Sequence, residues 1–153
     1  MSRQTISCAI VVFNEEKNIS ACLNTAIWMD EIVVVDAFST DRTMDICKAF
    51  TDRIFQRTWN GFGEQKNFAI HQSTSDWVFI LDADERITSE LRLEIEAVLE
   101  GKDSVKKRTG FSLSTQITEL DNLSFLGILE GMQIVLNKRI KTLKTSINYK
   151  NIK

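Results

Sequence analysis

Two rhythms of apolar residues alternate along the first hundred positions. Residues 5–12 form a short β-favouring run ending in Ile10, Val11 and Val12, and Ile19, Leu23, Ala26 and Ile27 follow at helical spacing. Residues 31–35 repeat the strand signal and stop at Asp36; Ser39, Thr40 and Asp41 then offer caps for a helix carrying Met44, Ile46, Cys47 and Phe50. A third short strand is predicted at 53–55, followed by a loop with Trp59, Gly61 and Gly63 and a helix over 64–72. Trp77, Val78, Phe79, Ile80 and Leu81 have the unbroken apolarity of a strand buried on both faces. A helix over 89–99, with Leu91, Ile95, Val98 and Leu99 on one side, closes the unit.

Strands alternating with helices through short connections predict an α/β fold, a Rossmann-like, mostly parallel sheet flanked by helices, whose ligands lie outside the carboxyl ends of the strands. Asn14, Asp36 and Asp82 all fall at that edge. Beyond Gly101 the pattern changes. Residues 111–117 alternate like a half-exposed strand, 123–136 read as a helix despite Gly127 and Gly131, and 138–153, with six bases and no acid, read as a frayed basic tail.

Composition sharpens this division. The 153 residues, 43% hydrophobic and 26% charged, suffice for one domain with a real core. A formal net charge of −2 conceals 17 acids and nine bases in residues 1–100 against four acids and ten bases in 101–153. The odd number of cysteines, Cys8, Cys22 and Cys47, and the absence of a C-x-x-C spacing predict buried thiols in a reducing compartment. No apolar run reaches the ~20 residues of a membrane span and no apolar leader segment follows Arg3, so a cytoplasmic location is expected. No nucleic-acid partner is expected.

Asp82 and Asp84 carry the sharpest chemistry. In an extended segment residues i and i+2 point the same way, so both carboxylates can face one cleft and hold Mg²⁺ or Mn²⁺ against a diphosphate; the plain alternative is a solvated acidic loop. Asp36 can accept a hydrogen bond from the imide N–H of uracil, or cap a turn. The loop Phe13, Asn14 and Glu15 can contact base and ribose, although Asn14 equally suits a helix cap. Lys66 either meets a nucleotide or is an exposed helix lysine. His71 has no acidic or cysteine partner at ligand spacing and is set aside.

Four ordered segments resemble family 2 glycosyltransferases: Val11 to Glu16, Asp30 to Thr43, Gln65 to Ala69, and Leu81 to Glu85. The branch most similar is that of lipopolysaccharide core β-1,4-glucosyltransferases, and the likeness runs over about residues 4 to 100. It implies a GT-A fold, a nucleotide-diphosphate sugar donor, inversion at the anomeric carbon and a divalent metal, Mg²⁺ or Mn²⁺. By the same resemblance Phe13, Asn14, Glu15, Asp36, Lys66 and Asp82 bind substrate, and Asp82 and Asp84 bind the metal. The acceptor it implies is a glycolipid of the lipopolysaccharide core, reached by peripheral association with the inner membrane surface.

From Thr115 onward the likeness fades. The chain is therefore expected to comprise a nucleotide-sugar-binding core, 1–110, and an atypical, partly disordered basic tail, 111–153, in place of an acceptor-binding half; a change of reading frame near Thr115 accounts for such a switch. No catalytic base is assigned, because Glu119, Asp121 and Glu130 lack matching context. A non-catalytic nucleotide-sugar-binding fragment is the alternative function. A phosphoacceptor signalling domain fits less well, since it wants paired acids after its first strand, where Asn14 stands.

Overall fold

A computed structural model describes residues 3–100 with side chains, and the backbone of 125–129 and 132–136. The first strand, β1 (Ile6–Val12), leads into α1 (Ile19–Ala26), and the same alternation gives β2 (Glu31–Asp36), α2 (Thr43–Cys47), β3 (Ile54–Gln56), α3 (Phe62–Gln72), β4 (Trp77–Asp82) and α4 (Ser89–Leu99). Strands β5 (Phe125–Leu129) and β6 (Met132–Leu136) follow. Among the described residues the sheet order is β3-β2-β1-β4-β6-β5. The first four strands run parallel, and β6 pairs antiparallel with both β4 and β5.

Strand alternation sorts the core onto two faces. Ile6, Cys8, Ile10 and Val12 of β1 turn to one side, where they meet Ile19, Cys22, Leu23 and Ala26 of α1, Cys47 of α2, and Ile95 and Leu99 of α4. Ala9 and Val11 turn to the other, against Phe68, Ala69 and Ile70 of α3. β4 serves both: Trp77, Phe79 and Leu81 join the first cluster, Val78 and Ile80 the second. Its unbroken apolarity therefore reflects burial on both faces, as the sequence predicts.

Helix ends differ from expectation in instructive ways. The helix beginning near Asp41 is only five residues long and ends before Phe50; its first turn starts at Thr43, whose N–H and hydroxyl both donate to Asp41 Oδ1. α4 starts where Thr88 Oγ1 accepts the N–H of Leu91 at 3.2 Å. α3 begins two residues earlier than predicted, at Phe62, after Gly61 adopts φ 102°, a conformation that side chains rarely take.

The helix predicted over 123–136 is not formed; that segment holds β5 and β6 instead. Two five-residue apolar runs separated by Glu130 and Gly131 fit strand and helix periodicity alike, and the edge of β4 carries backbone groups that only a pairing strand satisfies. The pairing register of β5 shifts between Phe125 and Ile128, the interval that contains Gly127. The predicted strand at 111–117 and tail at 138–153 lie outside the described residues. Among the described residues no helix is long and apolar enough to cross a membrane.

Phe79 is 1% exposed at the centre of this core. Phe79→Ala is expected to cost about 3 to 5 kcal/mol in urea unfolding, whereas Leu93→Ala, at a position 66% exposed, should stay within about 0.5 kcal/mol. Similar losses for the two variants would place the core elsewhere.

Candidate nucleotide and metal site

The loops that follow β1 and β2 are stitched together by side chains bonding to backbone. Asn14 N donates to Ser39 Oγ at 2.9 Å, Glu15 N to Thr43 Oγ1 at 2.7 Å, and Glu16 N to Asp41 Oδ2 at 3.1 Å. In return Asn14 Oδ1 accepts from Thr40 N at 2.8 Å and Glu16 Oε2 from Arg42 N at 3.1 Å. Asn14 sits at φ 53°, a left-handed conformation its short amide tolerates. It is therefore a loop-to-loop clamp, and the cap position of α1 belongs to Asn18.

Asp36 lies beneath this clamp, fully buried. Its carboxylate accepts Ser39 N–H, Ser39 O–H at 2.5 Å and Gln56 Nε2 at 2.9 Å. Of the two roles open to it from sequence, the structure displays the turn cap. Because Ser39 Oγ also accepts from Asn14 N, one hydrogen-bonded line joins the ends of β1, β2 and β3.

Held above it, Phe38 adopts φ 62°, a strained conformation for a bulky residue. Phe38 and Phe13, each 53% exposed, face a cleft of about 640 Å³ that Val11, Glu15, Thr58, Trp59 and Phe62 also line. Trp59 and Phe62 meet edge to face with centroids 4.7 Å apart. The loop carrying Trp59 is pinned from below, since the buried amide of Gln65 donates to Thr58 O at 3.2 Å. Such an apolar slot with few polar groups suits a flat heteroaromatic ring.

The acidic corner lies at the end of β4, two strands from Asp36, with β1 between them. Asp82 closes the strand and the chain then turns, Glu85 N donating to Asp82 O at 3.0 Å. The extended geometry expected for residues 82–84 is thus replaced by a turn, which leaves Asp82 half-buried, buries Ala83 and exposes Asp84. Arg86 fixes the turn, its guanidinium reaching Ala83 O, Glu85 O and, at 3.1 Å, Asn18 O. Lys66 Nζ lies 2.8 Å from Asp82 Oδ1, so Lys66 is neither fully exposed nor unpartnered. Desolvation raises the Glu85 carboxyl pKa above its ordinary value; the N–H of Asp82 opposes that, the charges of Asp82 and Asp84 reinforce it, and Lys66 opposes it.

Among the described residues no three His, Cys, Asp or Glu side chains are grouped to hold a metal by themselves. Two carboxylates nonetheless match Mg²⁺ or Mn²⁺, which commonly take one or two protein carboxylates and complete their shell with phosphate oxygens and water. The ammonium already on Asp82 shows that this corner attracts a cation.

Gln56 and Arg86 escape sequence reasoning, Ser39 enters it only as a cap candidate, and Gln65 only within a family-like segment. Arg86 leaves a trace there, as a base directly after Asp82 to Glu85; the burial of Gln65 on a helix of middling polarity leaves none. His71 is exposed, its Nδ1 2.7 Å from Asn67 O, in keeping with a structural or surface role. Glu119, Asp121 and Glu130 lie outside the described residues.

Comparison with known proteins places these features in a lineage. The profile of Glycosyl transferase family 2 matches residues 7–112. A lipopolysaccharide core biosynthesis glycosyltransferase, LpsC, of Rhizobium meliloti is 33% identical over 105 residues, covering 65% of this chain and 39% of that protein. The crystal structure of S. aureus TarS 1–349 superposes with a TM-score of 0.62 at 18% identity, covering 95% of this chain and 51% of that one. Glucosyl-3-phosphoglycerate synthase from Mycobacterium tuberculosis, in complex with Mg²⁺ and UDP, gives a TM-score of 0.53 at 24% identity, covering 65% and 41%. These likenesses identify the fold as GT-A. The chain spans 23% to 39% of the length of curated relatives it matches.

Asp36→Ala removes the buried, charged acceptor that Ser39 and Gln56 share, so a stability loss of about 1.5 to 3 kcal/mol is expected. Adding Ser39→Ala should cost little more, because both changes break one network. Full additivity in the denaturation midpoints would show that Asp36 and Ser39 act independently.

Proposed function

The chain belongs to glycosyl transferase family 2, and on that premise we propose that it binds a nucleoside diphosphate sugar, with uridine as the favoured nucleoside, and transfers the sugar with inversion at the anomeric carbon. The observation that carries this reading is the placement of an aromatic cleft and an acidic corner at neighbouring strand ends. The base enters the cleft between Phe13, Phe38 and Trp59, and the diphosphate extends toward Asp82 and Asp84. Glu15, which lines the cleft, faces the ribose.

Asp36 supports base selection by holding the loop of Phe38 and Ser39 in place. Asp82 and Asp84 would hold Mg²⁺ or Mn²⁺, which would supply positive charge to the departing diphosphate. Lys66, on a helix packed beneath the corner, adds a further cation. Arg86 and Glu85 keep the turn in shape, so that the carboxylates need little reorganisation.

The Mg²⁺ and UDP of the mycobacterial complex support the donor class and the metal, and the similarity to LpsC supports a glycolipid acceptor of the lipopolysaccharide core at the inner membrane surface. A binding module without transfer is the competing reading. Transfer to a lipid A-core acceptor from radiolabelled donor separates the two.

Isothermal titration of UDP is the direct test. Mn²⁺ should tighten binding, Asp84→Ala should remove that enhancement, and equal affinity in Mn²⁺ and in EDTA would overturn the metal-bridged site.

A further inference from the structure

We propose that Lys66 is an internal counter-ion that holds Asp82 until donor arrives, so that metal and nucleotide bind this chain interdependently rather than one after the other at independent sites. The inference rests on the reading of the site given above, and goes beyond it in assigning Lys66 two successive partners.

The geometry makes the ammonium and a metal ion rivals. Lys66 Nζ sits 2.8 Å from Asp82 Oδ1, and both side chains are partly withdrawn from water at 21% and 35% exposure. A charge pair so placed is screened less than one in open solvent. Among the described residues no other ion pair to Asp82 accompanies that of Lys66.

α3 cannot carry Lys66 away. Gln65 is buried and bonded to the 57–58 backbone, while Ala69 and Ile70 pack against the sheet with Val78 and Ile80. The helix stays in place, and only the flexible four-carbon stem of Lys66 is free to redirect its charge. A divalent ion arriving alone must displace the ammonium from Asp82 and break the ion pair. A diphosphate arriving with the metal offers that ammonium a new partner next to the old one. Each ligand therefore assists the other, and by linkage the assistance is equal in both directions.

The test is Mn²⁺ titration of the full chain, followed by the electron paramagnetic resonance of free Mn²⁺, with and without UDP. Wild type should bind Mn²⁺ weakly alone and on the order of tenfold more tightly with UDP, within the usual range of coupling between sites. Lys66→Met should bind Mn²⁺ alone on the order of tenfold more tightly than wild type, and UDP should then add little. Lys66→Arg keeps the charge and should behave like wild type. Mn²⁺ affinity in the absence of UDP that is unchanged or weaker in Lys66→Met overturns the handover, as does Lys66→Arg matching Lys66→Met. If UDP binds wild type with no Mn²⁺ dependence, the metal site itself fails, a result distinct from a metal-dependent wild type whose Lys66→Met variant is unaltered.

Discussion

The double pairing of β1 is the constraint from which the rest follows. Residues Ser7 to Val12 bond to β2 and residues Ile6 to Val11 bond to β4, all in parallel register. Parallel neighbours cannot be joined by tight turns, so each connection crosses a face of the sheet as a helix. The carboxyl ends of three adjacent strands then open at one edge. With strands about 4.8 Å apart, the chain positions of Asp36 and Asp82 are separated by roughly 10 Å. That separation divides an apolar slot from an acidic corner while keeping both within reach of one extended ligand.

The two acids at those strand ends are handled in opposite ways. Asp36 is sealed, with hydroxyl, amide and backbone donors satisfying its oxygens, and its charge serves the shape of the loops. Asp82 is half-open, and the group that compensates it sits on a flexible stem. A sealed carboxylate gives rigidity, whereas a compensated but accessible one gives exchange. The structure thus places positional precision beneath the aromatic cleft and adaptability at the acidic corner.

Sequence made the parallel core legible because its signals agree: β1, β2 and β4 are continuous apolar runs, and each ends in a loop rich in polar residues. The acids of the candidate site stood out because each ends an apolar run, a position that sequence leaves open to ligand binding or to turn capping; at Asp36 the structure displays the cap. What escaped was pairwise geometry. Nothing in the string tells that Lys66 reaches Asp82, that Gln56 and Ser39 close over Asp36, or that residues 83–84 turn rather than extend. The region 123–136 misled because its periodicity served two structures, and the choice was made by an edge of β4 that local sequence does not display.

All three cysteines are buried, one each in β1, α1 and α2. Burial, joined by nearby carboxylate charges, pushes Cys22 and Cys47 up to about 12, with Arg86 opposing the rise at Cys22, and burial drives Cys8 well above the ordinary thiol range. Thiolate is the reactive form, so none of the three can be alkylated until its own surroundings admit water. Cys22 also donates to Asp82 O at 3.4 Å, directly under the acidic turn. The chain consequently carries its own set of opening clocks, in which the labelling rate of Cys22 times the loosening of the acidic corner and that of Cys8 times the parting of the central strand.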